Sequence, residues 1–323
     1  MGRRSGRLVQ YATAITPTMA ELIDPADPLD PISLQFVPAP EELDRRADEL
    51  DDPIGDSPHS PVEGIVHRYP DRVLLMPLTV CPVYCRFCFR RETVGGPESA
   101  VLPQAKLDAA IDYIRRSPGV WEVILSGGDP LILAPRRLDK LLRALRDIAH
   151  VKIIRIHTRV PLVDPKRVDD TLLDVLDRAK PVYVALHANH VREFTPAGRA
   201  AVARLADRGV VLLGQTVLLK DVNDSVAALS DLMRCFVENR VKPYYLHQLD
   251  KAPGTARFRV PLATGKALVE ALRGGVSGLC QPTYVLDIPG GHGKSPLNAD
   301  YAEARDGEWR ITDFKGRRHG YRD

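Results

Sequence analysis

From Arg72 onward, short apolar runs alternate with amphipathic stretches. The amphipathic stretches repeat apolar residues at helical spacing, as Leu107, Ile111 and Ile114 do. The apolar runs are rich in Val, Ile and Leu, and they span residues 73–78, 120–125, 151–156, 182–186, 210–215 and 241–249. Continuous apolar strands that alternate with helices are typical of a parallel sheet buried on both faces. The pattern predicts an α/β fold of six strand–helix units, a partial (β/α)6 barrel of TIM type.

Residues 1–66 follow another pattern, in which prolines and acidic residues dominate. The prolines exclude a long helix except between residues 40 and 50, and they are Pro25, Pro28, Pro31, Pro38, Pro40, Pro53, Pro58 and Pro61. We predict an extended arm with short helices that wraps the main domain, and the high charge density leaves disorder as the alternative. The chain then divides into the arm (1–66), the barrel (67–280) and a C-terminal segment with a tail (281–323). We expect residues 303–323 to form a short arm or a frayed terminus.

Composition excludes several classes of protein. The 323 residues suffice for one large α/β domain, and 44% hydrophobic with 27% charged residues is ordinary for a globular protein. The net charge of +3 is too small to indicate nucleic-acid binding. No apolar run approaches the roughly 20 residues that span a membrane. The first residues, MGRRSGRLVQYATA, lack the apolar core of a signal peptide. We therefore expect a cytoplasmic protein that binds neither nucleic acid nor membranes.

Three cysteines stand close together just after the first apolar run. Cys81, Cys85 and Cys88 have the spacing C-x3-C-x2-C, and the other cysteines, Cys235 and Cys280, are far away in sequence. Structural zinc takes four ligands, usually as two separated pairs, and the cluster of an electron carrier takes four thiolates. Three thiols on one tight loop instead suggest a [4Fe–4S] cluster with one iron open to another ligand. A zinc loop completed by a distant residue and a set of buried thiols remain alternatives.

Polar residues follow the remaining strands of the predicted barrel, at the ends where barrel enzymes carry their chemistry. The second strand runs into Ser126-Gly127-Gly128-Asp129-Pro130, whose glycines permit positive φ and close approach of a ligand, although an ordinary turn would look the same. Later strands end in His157-Thr158-Arg159, in His187 with Asn189 and His190, in Gln215, and in His247 with Asp250. Each residue alone is compatible with a structural role, but together they predict a site.

A seventh apolar run, residues 284–286, leads to Asp287, a glycine-rich turn and Lys294. This lysine does not belong to a phosphate-binding P-loop, because position 288 is Ile where that motif requires Gly. A lysine held by a flexible glycine loop over the barrel mouth is suited to form a Schiff base with pyridoxal phosphate (PLP). A solvated loop lysine is the alternative.

The cysteine spacing is the signature of the radical S-adenosylmethionine (SAM) superfamily, and the chain resembles its lysine 2,3-aminomutase family of PLP-dependent enzymes. The similarity runs from about Met19 through the Lys294 loop. It rests on HRYPDR at 67–72, the cysteine loop with Arg90 and Arg91, SGGDPL, HANH, GVVLLGQTVLLKDVND, KPYYLHQLD and LDIPGGHGKSP. The resemblance implies a partial radical SAM barrel with an N-terminal arm and a C-terminal extension.

The resemblance also implies three cofactors and their binding residues. Cys81, Cys85 and Cys88 would hold the [4Fe–4S] cluster. Residues in contact with S-adenosyl-L-methionine would be Ser126, Gly127, Gly128, His187 and Gln215. Lys294 would carry pyridoxal 5′-phosphate, with Arg68 and Tyr69 near its phosphate.

The implied substrate is a long cationic amino acid. Arg90 would bind its α-carboxylate, a task suited to a guanidinium, and Asp250 and Asp287 would bind its distal ammonium. Glutamate-specific relatives lack these acids, and relatives that supply β-lysine for elongation factor P usually lack the second. The resemblance thus implies an isomerase that converts L-lysine into β-lysine, with an electron donor such as flavodoxin or ferredoxin. A homo-oligomer is compatible with it.

Three alternatives stay open from the sequence. The first is supply of β-lysine for elongation factor P, the second is action on arginine or ornithine, and the third is a non-catalytic iron–sulfur sensor. The chain also departs from the longer family members, which carry a C-terminal zinc site. No cysteine follows Cys280, and Ser225 stands where those enzymes place a zinc ligand. We therefore expect no structural zinc.

Overall fold

The computed structural model describes residues 11–96, 100–179, 181–305 and 307–323. Its strands are β1 (Ile65–Tyr69), β2 (Arg72–Leu78), β3 (Glu122–Gly127), β4 (Ile153–Thr158), β5 (Val182–His187), β6 (Val211–Leu218), β7 (Lys242–Gln248), β8 (Thr283–Asp287), β9 (Lys294–Pro296), β10 (Ala302–Arg305), β11 (Glu308–Thr312) and β12 (Arg318–Tyr321). Its α-helices are α1 (Pro17–Ala20), α2 (Pro31–Phe36), α3 (Gln104–Arg115), α4 (Pro135–Arg146), α5 (Val160–Val163), α6 (Asp170–Arg178), α7 (Pro196–Asp207), α8 (Val226–Glu238) and α9 (Leu262–Leu272). Short 3-10 turns span Pro40–Leu43, Ser57–His59, Pro130–Ile132, Pro165–Arg167, Val191–Glu193, Ala256–Phe258 and Gly278–Cys280.

Strands β1 to β9 form one sheet in chain order. The pairs from β2 through β8 are parallel, while β1 and β9 pair antiparallel at the two edges. Helices α3, α4, α6, α7, α8 and α9 connect successive parallel strands. The predicted partial (β/α)6 barrel is confirmed, with a seventh parallel strand where the sequence placed one. Within the described ranges, no helix is long and apolar enough to cross a membrane.

The barrel core follows from the apolar pattern. In α4, the face formed by Leu138, Leu141, Leu142 and Leu145 is buried, as their i, i+3, i+4 and i+7 spacing requires. Two strands begin two residues later than the apolar runs suggest. Val120 and Val151 are buried in the turns before β3 and β4, so each run includes a core residue that precedes its strand.

The N-terminal arm is folded against the barrel over residues 11–66, so the alternative of disorder is wrong for this part. Met19, Ile32 and Phe36 pack on Val83 of the cysteine loop. The helix considered between residues 40 and 50 is a single 3-10 turn, because Asp44 leaves the helical region at φ −83° and ψ 89°. The division into three segments stays a prediction. The large sheet extends beyond the predicted barrel segment at both ends, because β1 spans the boundary at residue 66 and β8 lies after the boundary at residue 280.

The C-terminal tail forms a small antiparallel sheet of β10, β11 and β12. The alternative of a frayed terminus is therefore wrong for the described part of the tail, and the expected short arm takes the form of this small sheet. A tight turn explains the pairing of β11 with β12. The Asp313 carboxylate accepts hydrogen bonds from the backbone N–H groups of Lys315 and Arg317, both at 2.9 Å, and Gly316 supplies positive φ.

Candidate active site

A cavity of about 520 Å³ is lined by residues from every strand of the large sheet. Its size is typical of small-molecule sites. The fourteen residues to which the resemblance gave a role all lie in its wall: Arg68, Tyr69, Cys81, Cys85, Cys88, Arg90, Ser126, Gly127, Gly128, His187, Gln215, Asp250, Asp287 and Lys294. Of the other polar residues predicted at strand ends, Asp129, His157, Thr158, Arg159 and His247 also line the cavity, whereas Asn189 and His190 do not. The lining residues meet because the carboxyl ends of parallel strands share one edge of a sheet. Their individual roles stay predictions.

The three cysteines lie together in the loop after β2. The backbone N–H of Cys88 donates to the carbonyl oxygen of Cys85 at 3.1 Å. Burial and then the nearby Asp129 raise the pKa of Cys81, while burial and then Cys85 raise the pKa of Cys88 to about 11. Binding of iron would therefore displace thiol protons. A cysteine-only donor set facing a cavity fits an iron–sulfur cluster with one iron open.

A buried carboxylate of the arm fixes this loop. Glu42 accepts a hydrogen bond from Arg86 Nε at 2.9 Å and another from Arg91 Nη2 at 2.5 Å. Burial opposes ionisation of Glu42, but the two guanidinium groups outweigh it and lower its pKa. Arg91 Nη1 also donates to the Pro253 carbonyl at 3.1 Å. The cysteine loop is thus held between the arm and the loop after β7.

The paired glycines after β3 make room for the chain that enters the cysteine loop. Gly127 has φ +94°, and a Cβ at Gly128 would lie 2.1 Å from the carbonyl oxygen of Val80. The adjacent Asp129 carboxylate accepts from the Thr158 hydroxyl at 2.7 Å and from the Arg159 N–H at 2.8 Å. These contacts join the ends of β3 and β4 beside the cysteines. The sequence analysis expected these glycines to allow a ligand to approach the backbone. In the structure, the close approach of the Val80 backbone already requires a glycine at position 128.

His187 and Gln215 lie side by side at the ends of β5 and β6, as register partners. His187 Nε2 is 3.2 Å from the Asn189 side-chain oxygen. Burial and then the charge of Arg159 lower the pKa of His187, so its ring is neutral in this structure. The two side chains therefore present neutral polar groups to the cavity.

At the other end of the cavity, a hairpin places Lys294 opposite Asp287. These residues are partners in the β8–β9 register, and Lys294 Nζ lies 2.6 and 2.5 Å from the two carboxylate oxygens. The Lys294 backbone N–H donates to the Tyr69 hydroxyl at 2.8 Å. The expectation of a lysine on a flexible loop is wrong, because Lys294 begins a strand and the glycine turn before it packs against Gly55 of the arm.

The two acids predicted for an ammonium differ in charge state. Burial and then the Asp287 charge raise the pKa of Asp250 to about 8. Burial also opposes ionisation of Asp287, but His247 and the Lys294 ammonium outweigh it and hold the pKa of Asp287 far below its usual range. Near neutral pH the pair carries roughly one negative charge, which Lys294 balances. A second ammonium in this place would favour ionisation of Asp250.

Asp56 of the arm, which the sequence analysis did not single out, joins the two arginines predicted for anions. Its Oδ2 accepts from Arg90 Nε at 2.9 Å and Nη2 at 2.7 Å, and its Oδ1 accepts from Arg68 Nη2 at 3.1 Å. Arg68 Nη2 also donates to the Ile54 carbonyl at 2.7 Å. Asp56 thus orients both guanidinium groups in the cavity wall.

Among the described residues of the cavity wall, three buried nitrogen atoms have neither a hydrogen-bond partner nor an ion-pair partner. They are Arg68 Nε, His157 Nε2 and Arg159 Nε. Burial and then the Arg155 charge lower the pKa of His157 well below 6.5, so its ring is neutral. Buried polar groups are normally paired, and these atoms therefore mark places that a bound polar molecule would complete. Together with the amine of Lys294, Arg68 Nε and His157 Nε2 fit a phosphorylated aldehyde cofactor, whereas Arg159 lies beside Cys85.

Comparison with known proteins agrees with this geometry. The family model described as the radical SAM superfamily matches residues 75–233. The L-lysine 2,3-aminomutase of Clostridium subterminale is 44% identical over 288 residues, which are 89% of this chain and 69% of that protein. The enzyme of the same name from Bacillus subtilis is 42% identical over 287 residues, 89% of this chain and 61% of that protein. The glutamate 2,3-aminomutase of Clostridioides difficile is 37% identical over 292 residues, 90% and 69% of the two chains.

The similarity therefore covers about nine-tenths of the chain, and the identity is higher to the two lysine enzymes than to the glutamate enzyme. With three cysteines at one end of a half-barrel cavity and a lysine with two acids at the other, the chain belongs to the lysine 2,3-aminomutase family of radical SAM enzymes.

Proposed function

We propose that this chain is an L-lysine 2,3-aminomutase, an isomerase that moves the 2-amino group of L-lysine to C3 and gives β-lysine. One observation carries the proposal: Asp250, Asp287 and Lys294 converge at one end of a cavity whose other end carries the three cysteines. The 44% identity to the Clostridium subterminale enzyme supports the same substrate. Family membership implies a [4Fe–4S] cluster, SAM and PLP as cofactors.

The residues divide between the three cofactors. Cys81, Cys85 and Cys88 would hold the cluster, and Lys294 would hold PLP beside Arg68 and Tyr69. SAM would contact Ser126, Gly127, Gly128, His187 and Gln215. When bound, the cluster and SAM supply the radical chemistry, and PLP supplies the covalent attachment of the migrating amino group.

The chain itself orients the substrate. Arg90, held by Asp56, would bind the α-carboxylate, and Asp250 and Asp287 would bind the distal ammonium. The Lys294 ammonium, 2.6 Å from an Asp287 oxygen, occupies the kind of position that this ammonium would take. If Lys294 holds PLP, its amine would be engaged by the cofactor, and the Asp287 carboxylate would be available to the substrate ammonium.

The test is anaerobic turnover of the reconstituted protein with PLP, SAM and a reductant. A mixture of lysine, arginine, ornithine and glutamate is offered, and mass spectrometry after derivatisation reads the β-amino isomers. We expect β-lysine alone. A different β-amino acid would keep the reaction class and overturn the assignment of the two acids, and SAM cleavage without any isomer would overturn the aminomutase assignment.

We further propose a cytoplasmic protein that receives its electron from a small donor such as flavodoxin or ferredoxin and assembles as a homo-oligomer. The oxygen sensitivity of such a cluster and the reducing cytosol support the location. Reduction of the cluster by purified flavodoxin or ferredoxin tests the donor. Analytical ultracentrifugation tests the assembly, and a monomer at micromolar concentration would contradict it.

A further inference from the structure

A buried arginine contacts one of the three cysteines. Arg159, in the first residues after β4, is 6% exposed, and its Nη1 lies 3.0 Å from Cys85 Sγ. The distance is that of an N–H···S hydrogen bond from a charged donor. None of the roles given above uses this contact.

Arg159 is held in place from three parts of the chain. Its Nη2 pairs with the buried Glu193 and also donates to Gln35 Oε1 of the arm at 3.1 Å. Its backbone N–H donates to Asp129, and the ring of Phe36 lies 4.9 Å from the guanidinium carbon. Because each of these contacts is buried, the guanidinium has little freedom to leave Cys85.

We propose that Arg159 is a positioning residue that raises the reduction potential of the cluster through its hydrogen bond to Cys85. Reduction adds one electron, which increases negative charge on the cluster sulfurs, and hydrogen bonds to those sulfurs and nearby charge set the potential. A guanidinium donor stabilises the reduced form. Glu193 partly balances that charge, so it opposes the effect of Arg159. The proposal rests on the assignment of the three cysteines as cluster ligands.

The experiment is a redox titration of the reconstituted cluster without SAM or PLP, read by electron paramagnetic resonance. Iron and sulfide per chain are measured first. For Arg159→Gln, the ratio of reduced to oxidised cluster at a fixed solution potential should fall about tenfold, which is about 59 mV for a one-electron couple. Glu193→Gln should change the ratio in the opposite direction, because it leaves the Arg159 charge unbalanced.

A matched control exists in the same protein. Arg199 Nη2 lies 3.3 Å from Cys235 Sγ, so Arg199→Gln removes an arginine–cysteine contact away from the cysteine loop. This variant should keep the wild-type potential. An unchanged potential in Arg159→Gln at full iron content, or an equal shift in Arg199→Gln, would overturn the proposal.

Two further outcomes can be distinguished from a failure of the proposal: loss of cluster assembly in Arg159→Gln, and a wrong assignment of the cluster ligands. If Arg159→Gln assembles no cluster, Glu193→Gln decides, and an unchanged or lower potential in that variant overturns the proposal. If the ligand assignment is itself wrong, Cys85→Ala will retain the iron of the wild-type protein. That result is independent of any potential.

Discussion

The two ends of the cavity are built in different ways. At the cysteine end, buried charges are paired within the protein: Glu42 binds Arg86 and Arg91, and Glu193 binds Arg159. At the lysine end, Asp287 is paired with Lys294, whose amine is proposed to bind the PLP cofactor. The buried carboxylates of the first end keep their partners within the protein, whereas the second end holds an ion pair that the proposed cofactor would exchange.

This difference indicates what each end contributes. A cluster needs a fixed cysteine loop. The arm fixes this loop through the buried ion pairs of Glu42 with Arg86 and Arg91. A substrate pocket needs a carboxylate that can change partner, and the β8–β9 hairpin supplies one. Changes at the cysteine end should therefore affect stability most, and changes at the lysine end should affect ligand selection.

The largest effect should come from Glu42→Gln. It leaves the buried Arg86 and Arg91 without their carboxylate, and breaking a buried pair costs about 3–5 kcal/mol. Urea unfolding measures the loss. The control is Asp51→Asn, which removes the exposed pair with Arg45 and should cost less than about 1 kcal/mol. Equal losses in the two variants would contradict the account.

Asp287→Asn should weaken lysine binding to the PLP-loaded protein about 10- to 100-fold, because a bond to a charged group contributes about 1.5–3 kcal/mol. Calorimetry with lysine and with norleucine, which lacks the distal amine, checks this. Norleucine affinity should stay unchanged. If lysine is still preferred over norleucine to the wild-type extent, the assignment of Asp287 fails.

Gly128→Ala should destabilise the protein by about 1–3 kcal/mol, since its Cβ would lie 2.1 Å from the Val80 carbonyl oxygen. Gly278→Ala is the control, because a Cβ there would meet nothing within 4 Å. Thermal unfolding compares the two. A Gly128→Ala protein as stable as the control would show that the cysteine loop does not require this close approach.

Lysine affinity should depend on pH through Asp250, whose pKa is raised to about 8 by burial and then by Asp287. Binding of an ammonium favours the ionised carboxylate, so below this pKa each binding event releases a proton. Affinity should then rise by up to about tenfold per pH unit as the pH is raised to 8, while the lysine amine stays charged to about pH 10. Asp250→Asn should remove this dependence, and a pH-independent affinity in the wild-type protein would contradict it.

The sequence predicted the features that depend on local pattern. Alternating runs located the barrel strands. Motifs at the strand ends, together with the family resemblance, identified fourteen of the residues that line the cavity, because a parallel sheet brings strand ends together. It did not predict the partners from the arm. Glu42 binds Arg86 across 44 positions, Asp56 binds Arg90 across 34, and Gln35 binds Arg159 across 124. No periodicity relates such residues, since their pairing depends on how a proline-rich segment packs.

The Lys294–Asp287 pair lies between these cases. The glycine turn was visible in the sequence, but the register that places the two residues opposite each other follows from the hairpin closure between Ile288 and Gly293. The turn also packs against Gly55 of the arm, a contact between distant segments that the local sequence does not reveal.

The most direct test of two separately built ends is the content of iron and PLP per chain in Lys294→Ala and Cys85→Ala. Lys294→Ala is expected to keep the iron of the wild-type protein and to bind no PLP covalently. Cys85→Ala should lose the cluster and keep the PLP. A variant that remains folded by circular dichroism yet loses both cofactors would contradict the claim that the two ends of the cavity are held independently.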